Sequence, residues 1–286
     1  IGQSLNELVR RIIWTDKAAI LTDEAHDPQT IAVALLKAGL SPDTRCAVCE
    51  NPGGAGRNTH HLTLAEVVRH RELILPNVMV VWRSQIDVPP PPYAPGLPDA
   101  AFATSDGLIT PREIRLLSLS EIALKPEQVF WDIGAGSGSV AIEAARSQPL
   151  ASIYAIEKRT QFCDHIRDNM RSFGVDNMLL TEGVAPEGCR QWPDPHAVFI
   201  GGKGGNLHSI VDMVKQRLHV GGRMVLNAIT LESLAAIRRV LPRATVAQVQ
   251  INRGVPDDDG DLLRLEALNP VFILVWQKPA DANQIE

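Results

Sequence analysis

The chain has 286 residues, 45% of them hydrophobic, enough for two domains with a substantial core. Its formal net charge is −5, with the basic residues scattered, which argues against nucleic acid as a partner because tracking a phosphate backbone calls for a concentrated basic face. No apolar run approaches the roughly 20 residues of a membrane helix, and the start, Ile1 to Arg11, lacks the charged front and apolar centre of a signal peptide; a cytoplasmic protein with no membrane partner is expected.

In chain order, the first part predicts a helix at 4–12, a strand at 18–21, a helix at 28–38, a strand at 45–50, a glycine-rich loop at 53–56, a helix at 64–73 and a strand at 78–82. Residues 1–87 therefore read as an α/β unit. Asn51 to Gly56, NPGGAG, has the composition of a ligand loop, but it follows a short strand and has no acidic partner at the expected distance, which favours a connecting turn. Cys46 and Cys49 form a C-x-x-C pair. No second pair or ligand cluster accompanies them, so they are expected to be two core thiols within a strand. The eight histidines are scattered or, as His60 and His61, adjacent and opposed; no metal site is expected.

Six of the twelve residues from Val88 to Asp99 are proline, which removes backbone donors and predicts a stiff linker at 88–99. Residues 100–286 then alternate strands at 129–133, 151–156, 177–181, 196–200, 222–228, 244–251 and 270–277 with helical runs between most of them. Such alternation predicts a Rossmann-like α/β domain: a mainly parallel sheet, helices on both faces, and ligands at the carboxyl ends of the strands. The last two strands flank VPDDDGD at 255–261, whose Asp-Gly step suits a turn, and are expected to pair antiparallel at the sheet edge.

Residues 129–143 read VFWDIGAGSGSVAIE, an apolar run broken by glycines at alternate positions and resumed by helix formers. Gly134, Gly136 and Gly138 allow a sharp turn, close approach of backbone N–H groups to a ligand, and seating of the helix on the sheet. Nineteen residues past Gly138, at the end of the next apolar run, stands Glu157, placed to accept hydrogen bonds from ribose hydroxyls. Dinucleotide enzymes carry G-x-G-x-x-G, and a glycine triplet also serves simple turns; here the third glycine comes one residue early. The G-x-G-x-G spacing, with Asp132 before it and Glu157 after it, resembles the first two motifs of S-adenosylmethionine-dependent methyltransferases.

A wider set of residues extends that resemblance: GLITPREIR from Gly107, WDIGAGSGSVAIEAAR from Trp131, IEKR from Ile156, FGVDN from Phe173, PDPHAVFIGGKGG from Pro193, NAITLE from Asn227 and LNPVFI from Leu268. Residues 105–279 resemble the decarboxylating precorrin methyltransferases of cobalamin biosynthesis. In the front part, LTD from Leu21, Cys49-Glu50 before the glycine loop and LTLAE from Leu62 resemble the second half of a tetrapyrrole methylase module, so the pair is similar to the fused C(5,15) precorrin methyltransferases. The resemblance implies a class I methyltransferase domain at 100–286 preceded by a partial tetrapyrrole methylase domain. It implies methylation of the macrocycle at carbon 15 with decarboxylation of the ring C acetate. A complete methylase module begins with roughly another hundred residues and its own cofactor loop, so methylation of carbon 5 by this chain is not expected.

The resemblance further implies S-adenosyl-L-methionine held by Gly134, Ala135, Gly136, Ser137 and Gly138, with its ribose on Glu157, its adenine against Ala185, and Thr110 closing over it. Where the family usually has Asp before that alanine, this chain has Val184. Two of these residues have a second reading: Glu157 as a solvated charge beside Lys158 and Arg159, and Thr110 as a helix N-cap before Pro111. Precorrins are polycarboxylates, and an acidic protein must gather positive charge locally to hold one. Arg112, Lys203, Arg253 and Arg264 are the candidates, each also readable as a surface charge; Lys203, within Gly201-Gly202-Lys203-Gly204-Gly205 at a strand end, is preferred. Asn227, also at a strand end, reads as a substrate contact or a loop tie. No catalytic residue or proton donor is assigned. A homo-tetramer is implied by the resemblance alone. Methyl transfer to RNA or another small molecule, and a non-catalytic cofactor-binding module, remain as competing readings.

Overall fold

The computed structural model describes residues 4–70, 73–82, 94–105, 107–201, 206–256 and 263–280. The chain divides into two compact units, Ile1–Pro91 and Pro92–Glu286. No helix among the described residues is long and apolar enough to cross a membrane.

The front unit comprises α1 (Leu5–Ile13), β1 (Lys17–Leu21), α2 (Pro28–Lys37), β2 (Arg45–Glu50), β3 (Asn58–Thr63), α3 (Leu64–Arg69) and β4 (Asn77–Trp82). Its helix starts follow from local chemistry. Ser4 and Asp27 accept the backbone N–H of Glu7 and Thr30 through their side chains, with Pro28 in the first turn of α2, and Thr63 with Glu66 closes a reciprocal capping box on α3. The four strands form an antiparallel sheet in the order β1-β4-β2-β3, over which Ile31, Leu35, Val48, Leu64, Val67 and Met79 are buried. β3 is absent from the sequence-based expectation, since NTHHLT shows no apolar alternation; it pairs with β2, which makes the loop through Gly53 to Gly56 a hairpin connection. Helix α3 also stops at Arg69 rather than 73. Cys46 and Cys49 both lie in β2 as free thiols, but only Cys46 is in the core; Cys49 is half-buried on the strand, a correction to the expected core pair. Burial, aided by the charge of Glu66, pushes the Cys46 thiol up to about 12, and three strand steps of roughly 3.3 Å separate the two residues beyond disulfide reach.

The rear unit runs α4 (Arg112–Ile122), β5 (Val129–Ile133), α5 (Ser139–Ser147), β6 (Ser152–Glu157), α6 (Thr160–Ser172), β7 (Met178–Glu182), β8 (Ala197–Ile200), α7 (Leu207–Arg217), β9 (Arg223–Ala228), α8 (Leu231–Val240), β10 (Thr245–Val249), β11 (Asn252–Pro256), β12 (Leu263–Ala267) and β13 (Val271–Gln277). Its main sheet has the order β10-β13-β9-β8-β5-β6-β7. The five strands from β9 to β7 are parallel, and β13 runs antiparallel to both β9 and β10. The expected edge pair is therefore present, and the intervening hairpin β11–β12 forms a separate sheet. The Asp-Gly turn expected near 260 lies outside the described residues.

Phe130 belongs to the core on one face with Ile122, Ile142 and Ile166; Trp131 and Ile133 belong to the other with Val211, Val214 and Ile237. Helices α4, α5 and α6 thus cover one face and α7 and α8 the other, which explains why the central strands read as continuous apolar runs. Strand order reverses between β5 and β8, and the crevice beyond their carboxyl ends is where such sheets receive ligands.

Candidate functional site

β5 leaves the sheet through glycines in left-handed backbone: φ is +77° at Gly134, +58° at Gly136 and +74° at Gly138. Each such conformation would cost an L side chain about 1–2 kcal/mol. Gly134 carries a further constraint, because a Cβ there would lie 2.5 Å from the carbonyl oxygen of Gly201; the ends of β5 and β8 close only around a hydrogen. Gly138 caps the N-terminus of α5 and would press a Cβ to 3.0 Å from Ile166 on α6. At Gly136 a Cβ would meet nothing within 4 Å. The outer side of the loop is open, and the N–H groups that begin α5 favour a negatively charged ligand group.

Glu157 closes the other side of this cradle. One carboxylate oxygen accepts the backbone N–H of Lys158 at 3.0 Å and of Arg159 at 3.1 Å; the other accepts Gly136 N–H at 3.0 Å. The residue is 5% exposed, so the reading of a solvated charge is corrected: the carboxylate is built into the loop. A carboxylate oxygen offers two lone pairs, and the one that takes Gly136 retains capacity for a sugar hydroxyl. Gly183 N–H donates to the Glu157 carbonyl at 2.9 Å, which draws the segment after β7 alongside. Ala185 in that segment is 7% exposed, whereas Val184 is 57% exposed.

Thr110 precedes α4, but the helix cap is Pro111 and no side chain caps it. The N-cap reading of Thr110 is corrected: its hydroxyl is not spent on the helix, and its carbonyl accepts from the Arg115 guanidinium at 2.6 Å. The segment that carries it is tied to the glycine loop by Asn169 of α6, which is buried. Its amide accepts Ala103 N–H at 2.7 Å and donates to the carbonyls of Ala103 and Ser137, both at 2.9 Å. The described end of the proline-rich stretch also belongs to this unit, with Gly96 and Leu97 N–H donating to Glu143 of α5. Residues 88–93 of the expected linker lie outside the described residues.

Two of the four candidate cations have carboxylate partners on the surface of the rear unit. Arg253 on β11 reaches Glu113 at 2.9 Å and Asp99 at 3.7 Å, carboxylates distant in sequence, and Arg264 on β12 reaches its neighbour Glu266 on the same strand at 2.6 Å, with both arginines still exposed. Arg112 is exposed at the start of α4, Gly201 is half-buried at the end of β8, and Gly202 and Lys203 lie outside the described residues. Asn227 sits near the end of β9, and its amide donates to the Ser118 hydroxyl of α4 at 3.0 Å, so it ties strand to helix.

Two buried groups at the site were not assigned a role from the sequence, Asp132 being noted there only as the residue before the glycine motif. Asp132 accepts Ala141 N–H at 3.1 Å through one oxygen; the other oxygen and the Ser137 hydroxyl are buried and meet no donor or acceptor of the protein. Desolvation, with a smaller push from the Glu157 charge, raises the Asp132 carboxyl to about 7. The second missed group is Arg115, with its partners Glu143 and Asp99.

A glycine cradle with an open face, a carboxylate at its side and unpaired buried polar atoms beneath it suits a polar, nucleoside-bearing ligand. The comparisons agree in kind. A family model described as a precorrin methyltransferase domain matches residues 100–278. A precorrin-6Y C(5,15)-methyltransferase (decarboxylating) of a Sinorhizobium species is 33% identical over 262 residues, covering 90% of this chain and 62% of that protein. A probable cobalt-precorrin-6B C(15)-methyltransferase (decarboxylating) of Pyrobaculum calidifontis is 35% identical over 191 residues, 64% of this chain and 96% of the relative. A crystal structure of a precorrin-6Y C5,15-methyltransferase from Geobacter metallireducens superposes with a TM-score of 0.60 at 41% identity, covering 64% of this chain and 97% of the other. The chain spans about three fifths of the length of the Sinorhizobium relative.

Proposed function

This chain belongs to the precorrin methyltransferase family, and from that premise we propose that its rear unit methylates carbon 15 of a precorrin-6Y or -6B type macrocycle and removes the carboxyl group of the ring C acetate, as a step of cobalamin biosynthesis. The donor in this reading is S-adenosylmethionine. The observation that carries it is the loop from Gly134 to Gly138 with Gly136 N–H on Glu157 at 3.0 Å and an open face at Gly136. Backbone N–H groups of the loop and the start of α5 hold the methionine end, Glu157 the ribose, Ala185 the adenine, and Thr110 lies over them. When bound, the donor supplies an electrophilic methyl group.

The chain's own part in the transfer is alignment and exclusion of water, which account for much of the acceleration of an in-line displacement. For the decarboxylation the conjugated macrocycle accepts the electrons, and the protein's part is to grip and orient the acceptor's carboxylates. Arg112 and Lys203 are proposed for that role; Arg253 and Arg264 would first have to leave Glu113 and Glu266. A cytoplasmic location and self-association belong to the same proposal. For the latter, Leu263 and Leu265 on β12, 68% and 69% exposed, with Val246 on β10, offer uncovered apolar surface.

Incubation of the chain with donor and the metal-free or cobalt-bearing precorrin, followed by mass spectrometry, tests the function: a gain of about 14 mass units reports methylation and a loss of about 44 reports carbon dioxide release. Neither change in either substrate would leave a binding module only. Glu157→Ala is expected to weaken donor binding by about 1–3 kcal/mol through loss of charge-assisted hydrogen bonds, read by calorimetry; an unchanged affinity would reject the ribose assignment.

A further inference from the structure

Arg115 is wholly buried, at 0% exposure, so it touches no ligand. Its Nε donates to Glu143 at 2.6 Å; one Nη donates to Asp99 at 3.0 Å and to the Thr110 carbonyl at 2.6 Å; the other donates to the Leu97 carbonyl. Phe102 lies under the guanidinium, 4.9 Å from ring centroid to Cζ. One planar fork therefore joins four places: both ends of the segment 97–110, α4 from which it projects, and α5, the helix that begins in the donor loop. Glu143 strengthens the join by also accepting Gly96 and Leu97 N–H.

Stability alone does not require such a knot. A buried ion pair spends much of its attraction on desolvation, and apolar side chains of similar volume often stabilise as well or better. What apolar groups cannot supply is direction. Thr110 precedes a proline, which limits its own backbone to extended conformations, and the Arg115 bond then fixes where its carbonyl points. With Asn169 joining Ala103 to the Ser137 carbonyl of the loop and Arg115 joining Leu97 and Thr110 to Glu143 of α5, the segment is held against the loop at one point and against the helix that follows it at another.

We infer that Arg115 is a positioning residue of the donor site: it sets the Thr110 backbone relative to the loop of Gly134 to Gly138, so that donor affinity depends on a side chain that the donor never meets. The inference rests on the donor reading above. Asp99, 27% exposed, carries the join outward to Arg253 of the β11–β12 hairpin at 3.7 Å.

The test uses the intact chain titrated with S-adenosylmethionine in a calorimeter, with hydrogen exchange read by mass spectrometry before and after saturation. Arg115→Lys keeps the charge and loses the fork; donor affinity is expected to fall about tenfold, the size of an indirect coupling of this kind, with faster exchange at 97–110 and unchanged exchange in β5 and β6. An unchanged affinity, or exchange accelerated equally throughout the rear unit, would overturn the positioning role. Should Arg115→Lys fail to fold, the decision passes to Asp99→Asn, which removes one arm at a partly exposed position; it is expected to weaken the donor about threefold, and wild-type affinity there would overturn the inference. A wild-type chain that binds no donor would instead overturn the donor reading, and the inference with it.

Discussion

Gly134→Ala is expected to destabilise the rear unit by about 3 kcal/mol or more and to abolish donor binding, while Gly136→Ala is expected to cost about 1 kcal/mol in stability. Both residues have left-handed backbone, with φ of +77° and +58°, so both substitutions carry the same conformational penalty. They differ in what the new methyl group meets. At Gly134 it would lie 2.5 Å from the Gly201 carbonyl oxygen; at Gly136 it would meet nothing within 4 Å. The Gly201 backbone cannot retreat cheaply, because its N–H donates to the Ile133 carbonyl at 2.9 Å and continues the β5–β8 pairing. Relief must come from parting the two strand ends between which the crevice lies. Urea unfolding of both variants, with donor titration of each, separates the terms. Equal stability of the two alanine variants would show that the strand ends yield without strain and would remove the close approach as the reason for glycine at 134.

How much of this was legible in the sequence depends on where each residue's partner lies. The strands of the parallel sheet announce themselves because both of their faces are buried, and the loop and Glu157 are readable because their spacing is local. β11 and β12 gave no signal: nearly every residue in them is exposed, so no apolar period marks them. β3 hid for a similar reason, with polar residues on a half-covered strand. Arg253 looked like a free cation because the carboxylate that claims it, Glu113, stands 140 residues away. Asn227 could be read as a substrate contact or a loop tie because its partner Ser118, on a helix, is 109 residues away. Arg115 and Asn169 are ordinary helix residues in sequence; their meaning comes from carbonyls and carboxylates that only the folded chain delivers to them. The preference for Lys203 rests on local composition alone, and since that residue lies outside the described residues it stands as a proposal.

The stability of Asp132→Asn relative to wild type is expected to rise with pH, by about 2–3 kcal/mol between pH 5 and pH 8. The folded-state carboxyl titrates near 7, against 3.8 in the unfolded chain. Below about 3.8 the proton is bound in both states and the residue carries no penalty. As pH rises through that value the unfolded chain releases its proton while the folded chain retains it, so stability falls. The fall continues until the folded carboxyl also ionises near 7 and is complete above that, at about 4 kcal/mol for a shift of roughly three units. Asparagine keeps an oxygen to accept Ala141 N–H and does not titrate. Any cost of burying its amide is the same at every pH, so the diagnostic is the difference between pH 5 and pH 8 and not the sign at either. Calorimetric unfolding of the intact chain, following the transition of the unit Pro92–Glu286, measures it. A variant whose advantage stays constant across that range would mean that the folded carboxyl is already ionised at pH 5, as it is in the unfolded chain, and the cause assigned to its shift, removal from water under the loop, would have to be abandoned.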